Sequence, residues 1–144
     1  MGIPQHMSEQ RLRILLVDDY PDALDTWSAF LEMQGYEVTT AADGKEAVDR
    51  AVSGRPNLII MDLSLPVVSG FDAARQLRSL PETARIPLIA ATGYSAAEQI
   101  EDAMRAGFDV VLIKPCDPDE LKREVTRLLD AARQSDGQLR SDVG

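Results

Sequence analysis

Apolar residues fall into two alternating patterns along this chain. Unbroken runs at Ile14-Leu15-Leu16-Val17, Leu58-Ile59-Ile60-Met61, Leu88-Ile89-Ala90-Ala91 and Val110-Val111-Leu112-Ile113 are too short for helices. They read as strands buried on both faces, as in a parallel sheet. A shorter strand over 36–41 is anchored by Val38. Between the strands, apolar positions recur at helical spacing: Ala23, Leu24, Trp27, Phe30 and Leu31; Ala47, Val48 and Ala51; Phe71, Ala74, Leu77 and Leu80; Ile100, Ala103 and Met104; Leu121, Val125, Leu128, Leu129 and Ala132. The fourth stripe is thin and made of small residues. The alternation βαβαβαβαβα predicts one α/β domain, a doubly wound sheet of five parallel strands with right-handed crossovers.

Polar punctuation supports these boundaries. Pro21 and Pro118 suit first helical turns, where a missing N–H has no partner to lose. Asp43 with Glu46, Ser95 with Glu98, and Asp117 with Glu120 have the spacing of capping boxes. Gly35, Gly54 and Gly107 stand where helices stop.

Most strands end in a reactive group. The first runs into Asp18-Asp19, the third into Asp62, the fourth into Thr92 and the fifth into Lys114. Ligands of open α/β sheets collect at the carboxyl ends of the strands, so these groups share one expected address. Clustered carboxylates repel one another, and a hard divalent cation relieves that cost. Mg²⁺ takes oxygen ligands, usually one or two carboxylates with waters and a phosphate oxygen, which suits Asp18, Asp19 and Asp62. Mn²⁺ is the alternative cation. A carboxylate is also a nucleophile toward phosphorus. With a cation, Lys114 and the Thr92 hydroxyl around it, Asp62 is placed to accept a phosphoryl group in line. Each element alone has an ordinary structural explanation: adjacent acids on a turn, a solvated strand end, a helix-entry threonine.

Composition narrows the alternatives. The 144 residues fit one domain, with 11–133 as its body, 1–10 as a flexible arm or tag remnant and 134–144 as a flexible tail. A net charge of −9 argues against direct nucleic-acid binding and leaves a basic protein partner open. The lone cysteine, Cys116, excludes an internal disulfide and a cysteine-cluster metal site. The lone histidine, His6, lies in the arm and supplies no base to the domain. No apolar run approaches the roughly 20 residues that cross a bilayer, and no signal peptide opens the chain, so the expected compartment is the cytoplasm. Neither GxxxxGK nor a strand-linked GxGxxG occurs, so nucleotide binding lacks its loops.

Taken together, Asp18-Asp19, the DLSLPVVSG that begins at Asp62, the ATG that contains Thr92 and the KP at Lys114-Pro115 resemble response regulator receiver domains of two-component systems, over about residues 12–132. The resemblance implies a flavodoxin-like (βα)5 fold with strand order 2-1-3-4-5. It implies that Asp18, Asp19, Asp62 and the backbone carbonyl of Ser64 hold Mg²⁺. Asp62 would take phosphoryl from a sensor histidine kinase or a histidine phosphotransfer protein, Thr92 and Lys114 would follow and bond the phosphoryl group, and the peptide before Pro115 would be cis. Such a domain is a signalling phosphoacceptor that assists its own phosphorylation and dephosphorylation, not an enzyme with a separate substrate. Its output would reach a downstream protein or a second copy through the face of the fourth helix, fifth strand and fifth helix. No membrane contact is implied.

One position departs from the pattern. Many receivers carry Tyr or Phe three residues before the lysine, where the ring reports movement of the hydroxyl; Val111 stands there in this chain. That affects signal output rather than acceptance, and directs attention to the thinly packed segment from Tyr94 to Gly107. Two other classes remain open at this point. A phosphorylation-independent binding module has no need to keep Asp62, Thr92 and Lys114 together. A metal-dependent phosphohydrolase needs a DxD acid, and Ser64 stands at that position. No DNA-binding, kinase or hydrolase signature follows Ala132, so a stand-alone receiver is expected, with a domain of a longer regulator or hybrid kinase as the alternative.

Overall fold

Leu58, Ile59, Ile60 and Met61 are all buried, and successive side chains enter opposite cores. Ile59 and Met61 join Leu15, Val17, Leu77 and Leu88 on one face. Leu58 and Ile60 join Ile14, Leu16, Ile89, Leu121 and Val125 on the other. Each fully buried Leu or Ile contributes about 1.5–3 kcal/mol of transfer free energy. Two-sided burial therefore makes this strand the centre of the molecule.

The computed structural model describes the backbone of residues 11–143 and side chains over 11–134. The elements are β1 (Arg13–Val17), α1 (Pro21–Met33), β2 (Glu37–Ala41), α2 (Gly44–Gly54), β3 (Leu58–Met61), α3 (Gly70–Ser79), β4 (Leu88–Thr92), α4 (Ala97–Ala106), β5 (Val110–Ile113) and α5 (Pro118–Val143). The strands form one parallel sheet in the order β2-β1-β3-β4-β5, the doubly wound arrangement expected. Val17 pairs with Met61, so Asp18 and Asp62 leave adjacent strands at the same level. Between β1 and β3 the order reverses, which is where such sheets open a crevice.

Most predicted stripes face the core. Ala47, Val48 and Ala51 of α2, and Leu121, Val125, Leu128 and Leu129 of α5, are buried. In α1 only Leu31 is buried, and Ala23, Leu24, Trp27 and Phe30 are half-buried. In α4 the buried pair is Ala103 and Ala106, while Met104 is 48% exposed. The expected place of Met104 in the stripe is thus corrected: the buried face is narrower and belongs to the alanines.

Two of the expected caps form. Asp43 accepts from the Glu46 amide at 2.7 Å, and Glu46 accepts from the Ala42 amide at 2.7 Å, closing a reciprocal box. Asp117 accepts from the Asp119 amide at 2.8 Å at the start of α5, but Glu120 makes no return bond, so the expected box is only half formed. The third does not form: α4 is preceded by Ala96 with no side-chain cap, so Ser95 and Glu98 make no box. The last helix runs to Val143, past Ala132 at the end of its predicted stripe, although 134–144 read as a tail. Propagating a helix costs far less than nucleating one, so the end of a stripe need not end a helix. The proposed arm over 1–10, with His6, lies outside the described residues. Among the described residues no helix is long and apolar enough to cross a membrane.

Candidate functional site

Four strand ends build the site. Asp18 follows β1 and is buried, its amide held by the Ala41 carbonyl at 3.1 Å. Its Oδ1 accepts from the Tyr20 amide at 3.0 Å, a local turn that fixes the carboxylate at the head of α1. Asp19 is exposed beside it. Asp62 follows β3, its amide bonded to the Val17 carbonyl at 3.0 Å. Its Oδ1 accepts from the Ser64 amide at 3.1 Å.

Lys114 joins these acids. Its Nζ donates to Asp18 Oδ2 at 2.6 Å and to Asp62 Oδ2 at 3.0 Å, and the side chains of both acids are nearly buried. Burial alone would lower the ammonium pKa. The bonds and charges of Asp18 and Asp62 outweigh it, and the net displacement is upward. The Lys114 amide also donates to the Thr92 carbonyl at 2.7 Å, so β5 delivers the lysine in register with β4. The Lys114–Pro115 peptide is cis.

Thr92 closes β4 and is 1% exposed. Its hydroxyl oxygen accepts from the Tyr94 amide at 3.2 Å and so faces forward along its own chain. The structure thus brings Asp18, Asp19, Asp62 and Lys114 into one cluster, with Thr92 on the neighbouring strand end turned to its own loop. Ser64 contributes its amide to Asp62.

Carboxylate oxygens of Asp18, Asp19 and Asp62 lie within 4.8 Å of one another. Mg²⁺ holds oxygens at about 2.0–2.1 Å, which sets opposite ligands roughly 4 Å apart. Small side-chain rotations or one intervening water therefore accommodate a single ion, and the all-oxygen donor set is the kind it takes. Thiolate- and imidazole-preferring metals find no comparable set at this edge.

The sequence left two neighbours of the site unassigned. Trp27 and Cys116 line the cleft of about 510 Å³ that also holds Asp18, Asp19, Tyr20, Ala23, Asp62, Lys114 and Pro115. Helical spacing reads Trp27 as a core residue of its face, whereas the structure leaves it half-buried. Its place six positions after Pro21, at the middle of a helix that starts beside Asp18, is the available signal. The Cys116 thiol has its pKa pushed up by burial and by the Glu120 carboxylate, which makes it a poor nucleophile.

Comparison with known proteins follows the same lines. The family model for the response regulator receiver domain matches residues 14–126. An uncharacterised 14.6 kDa protein of Leptolyngbya boryana is 39% identical over 80% of this chain and 88% of its own length. The transcriptional regulator RpaA of Synechocystis, described as DNA-binding, is 42% identical over 81% of this chain. This chain spans only 48% of that regulator, and 14% of a 38% identical gliding motility regulatory protein of Myxococcus xanthus. Among solved structures, the receiver domain of a Pseudomonas aeruginosa sensor histidine kinase superposes with a TM-score of 0.79 at 37% identity, covering 83% of this chain and 98% of that one. That structure has a magnesium ion in its active-site cleft. A CheY-like receiver from Methanospirillum hungatei gives 0.82 at 30% identity over 88% and 99% of the two chains.

Proposed function

The chain belongs to the response regulator receiver domain family of two-component systems, and from that premise we propose that Asp62 is the phosphoacceptor. The observation that carries this reading is the single ammonium of Lys114 on both Asp18 and Asp62, with Asp19 within ion-sharing distance. A carboxylate oxygen of Asp62 forms a bond to phosphorus as the P–N bond to a donor imidazole breaks. The imidazole nitrogen keeps the electron pair, and the product is an acyl phosphate. Donors of this chemistry are a sensor histidine kinase or a histidine phosphotransfer protein.

Each neighbour has a part in that transfer. The Ser64 amide and Lys114 Nζ hold the two oxygens of Asp62 and so fix the carboxylate plane. Asp18, Asp19, Asp62 and the Ser64 carbonyl would hold Mg²⁺, which supplies positive charge to phosphoryl oxygens when bound. Lys114 then exchanges a carboxylate partner for a phosphoryl oxygen, retaining a charge-assisted bond. The Thr92 hydroxyl turns across to a second phosphoryl oxygen, which shifts the segment that follows it. Residues 11–133 form the signalling unit, which acts on its own acyl phosphate and not on a separate substrate.

An output surface is available beside the moving segment. Glu98, Glu101 and Asp102 are exposed on α4, Ile113 is exposed on β5, and Lys122, Arg123 and Arg127 are exposed on α5. Exposed charges of both signs on one face suit a self-complementary dimer or a downstream protein.

The decisive experiment is mass spectrometry after treatment with a small phosphodonor and Mg²⁺. Wild type gains one phosphoryl group and stops there, and Asp62→Asn gains none. An undiminished gain in the variant overturns the assignment, and steady turnover of a phosphomonoester points to a hydrolase.

A further inference from the structure

One aromatic contact joins the two loops beside Asp62 and Thr92. The rings of Phe71 and Tyr94 stack with centroids 6.5 Å apart and planes 20° from parallel. Phe71 lies in the first turn of α3, directly after Gly70. The Gly70 amide bonds the Leu63 carbonyl at 2.9 Å, so this ring is carried by the loop that holds the acceptor. Tyr94 lies two residues past Thr92 and donates its amide to the Thr92 hydroxyl oxygen.

The remaining restraints on the second loop are few. Ser95 and Ala96 are exposed, and α4 begins without a side-chain cap. Tyr94 is half-buried and packs, like Phe71 and Val111, on the core face that includes Ala90. Val111 sits in register with Ala90, and its β-branched side chain has little rotameric freedom. The ring that can change place here is therefore Tyr94. Thr92 is β-branched as well, so its oxygen points either forward to the Tyr94 amide or across the strand ends, with few settings between.

We propose that Phe71 is a positioning residue: its stack with Tyr94 holds the Thr92 hydroxyl turned along the chain and thereby opposes occupancy of Asp62 by a phosphoryl group. Ligand binding shifts an equilibrium only by its preference between states, so removing a contact specific to the resting state strengthens binding by the worth of that contact. This inference rests on the receiver reading above and concerns the setting of its equilibrium.

The test uses beryllofluoride with Mg²⁺ as phosphoryl mimic on protein carrying 3-fluorotyrosine. Tyr20, Tyr36 and Tyr94 give three fluorine resonances, and Tyr94→Phe identifies the third. On saturation the Tyr94 resonance moves and that of Tyr36 stays. Phe71→Leu, which keeps apolar bulk without a ring, binds the mimic roughly two- to ten-fold more tightly, the range expected of one aromatic pair. Its resting Tyr94 resonance lies displaced toward the bound position, and Phe71→Tyr restores wild-type affinity. If Phe71→Leu does not fold, Tyr94→Leu carries the same expectation from the other ring. Unchanged or weaker binding by the ringless variants, or an unmoved Tyr94 resonance, overturns the proposal. Failure is separable from failure of the receiver reading. Mimic binding that is absent in wild type, or equal in Asp62→Asn, removes both, whereas binding that depends on Asp62 but ignores Phe71 removes the positioning role alone.

Discussion

The loops after β3 and β4 leave the same sheet edge, and they are built in opposite ways. The first is bolted at many points. Leu63 is buried, the Val68 amide bonds the Pro66 carbonyl at 2.8 Å, and Ser69 caps α3 through the Asp72 amide at 3.1 Å. Gly44 and Gly70 press backbone against it: a Cβ on Gly44 would overlap the Val68 carbonyl, and one on Gly70 the Asp62 carbonyl. Val67 even holds a left-handed φ of 69°, a conformation a β-branched residue keeps only when its surroundings insist. The loop after β4 has an uncapped helix behind it, exposed Ser95 and Ala96, and open space around Gly93. On the proposed reading, Asp62 on the first receives a ligand in fixed geometry and Thr92 on the second follows it. The contrast separates a site's rigid half from its responsive half.

The largest predicted effect comes from adding one methyl group to each loop. Gly70→Ala must displace the Asp62 carbonyl and stand 2.7 Å from Leu63 Cα, both of them backbone atoms that cannot swing aside. A cost of about 3 kcal/mol in urea unfolding is expected, at the upper end for overpacking. Gly93→Ala meets nothing within 4 Å and gains or loses at most about 1 kcal/mol, because restriction of the unfolded chain is its main effect. Equal costs at the two positions would erase the distinction between the loops.

Lys114 links the halves, and its loss is expected to be felt next. Lys114→Met leaves the Asp18 and Asp62 carboxylates facing each other without their shared counter-charge. A partly buried pair falls between exposed and buried cases, so about 1–2 kcal/mol is expected, and added Mg²⁺ returns part of it by taking over the charge. The pH dependence has a definite sign. The folded pKa of Lys114 is raised above its ordinary 10.5. Its stabilisation is therefore fully present below about 10.4, the unfolded value, and is lost as pH rises through the folded pKa. Alkaline titration of stability in this range should show a loss in wild type that Lys114→Met lacks. Parallel curves would mean that the two ion pairs contribute nothing to folding.

Much of this was legible in the chain because its signals are local. The run from Leu58 to Met61 announces a two-sided strand, and polar groups at the ends of four strands share an edge once the strands are parallel. The narrow burial of α4 was less legible. Met104 has the right spacing for a stripe, yet the helix buries Ala103 and Ala106 and leaves Met104 48% exposed. Trp27 was readable as part of an apolar face, but the cleft it lines is made by the β5–α5 turn, a partner no helical period can name. The same holds for Phe71 and Tyr94, whose contact exists only because β3 and β4 are neighbours.

The smallest predicted effects test the two loops through identical motifs. Asp43-x-x-Glu46 and Ser95-x-x-Glu98 have the same spacing, and spacing alone gives them equal standing. In the first, N-cap and return bonds both form at 2.7 Å, at the head of the helix whose Gly44 braces the loop after β3. In the second, the helix starts two residues beyond Ser95, and the hydroxyl caps nothing. Asp43→Ala should therefore cost about 1 kcal/mol in thermal or urea unfolding, the usual worth of an N-cap. Ser95→Ala should change stability by no more than about 0.5 kcal/mol, as at an ordinary surface position. On the proposed reading, the uncapped start lets the first amides of α4 rearrange when Thr92 turns, because no side-chain cap bond must break first. A cost at Ser95 equal to that at Asp43 would mean that the box forms in solution and that α4 is anchored at the end expected to move.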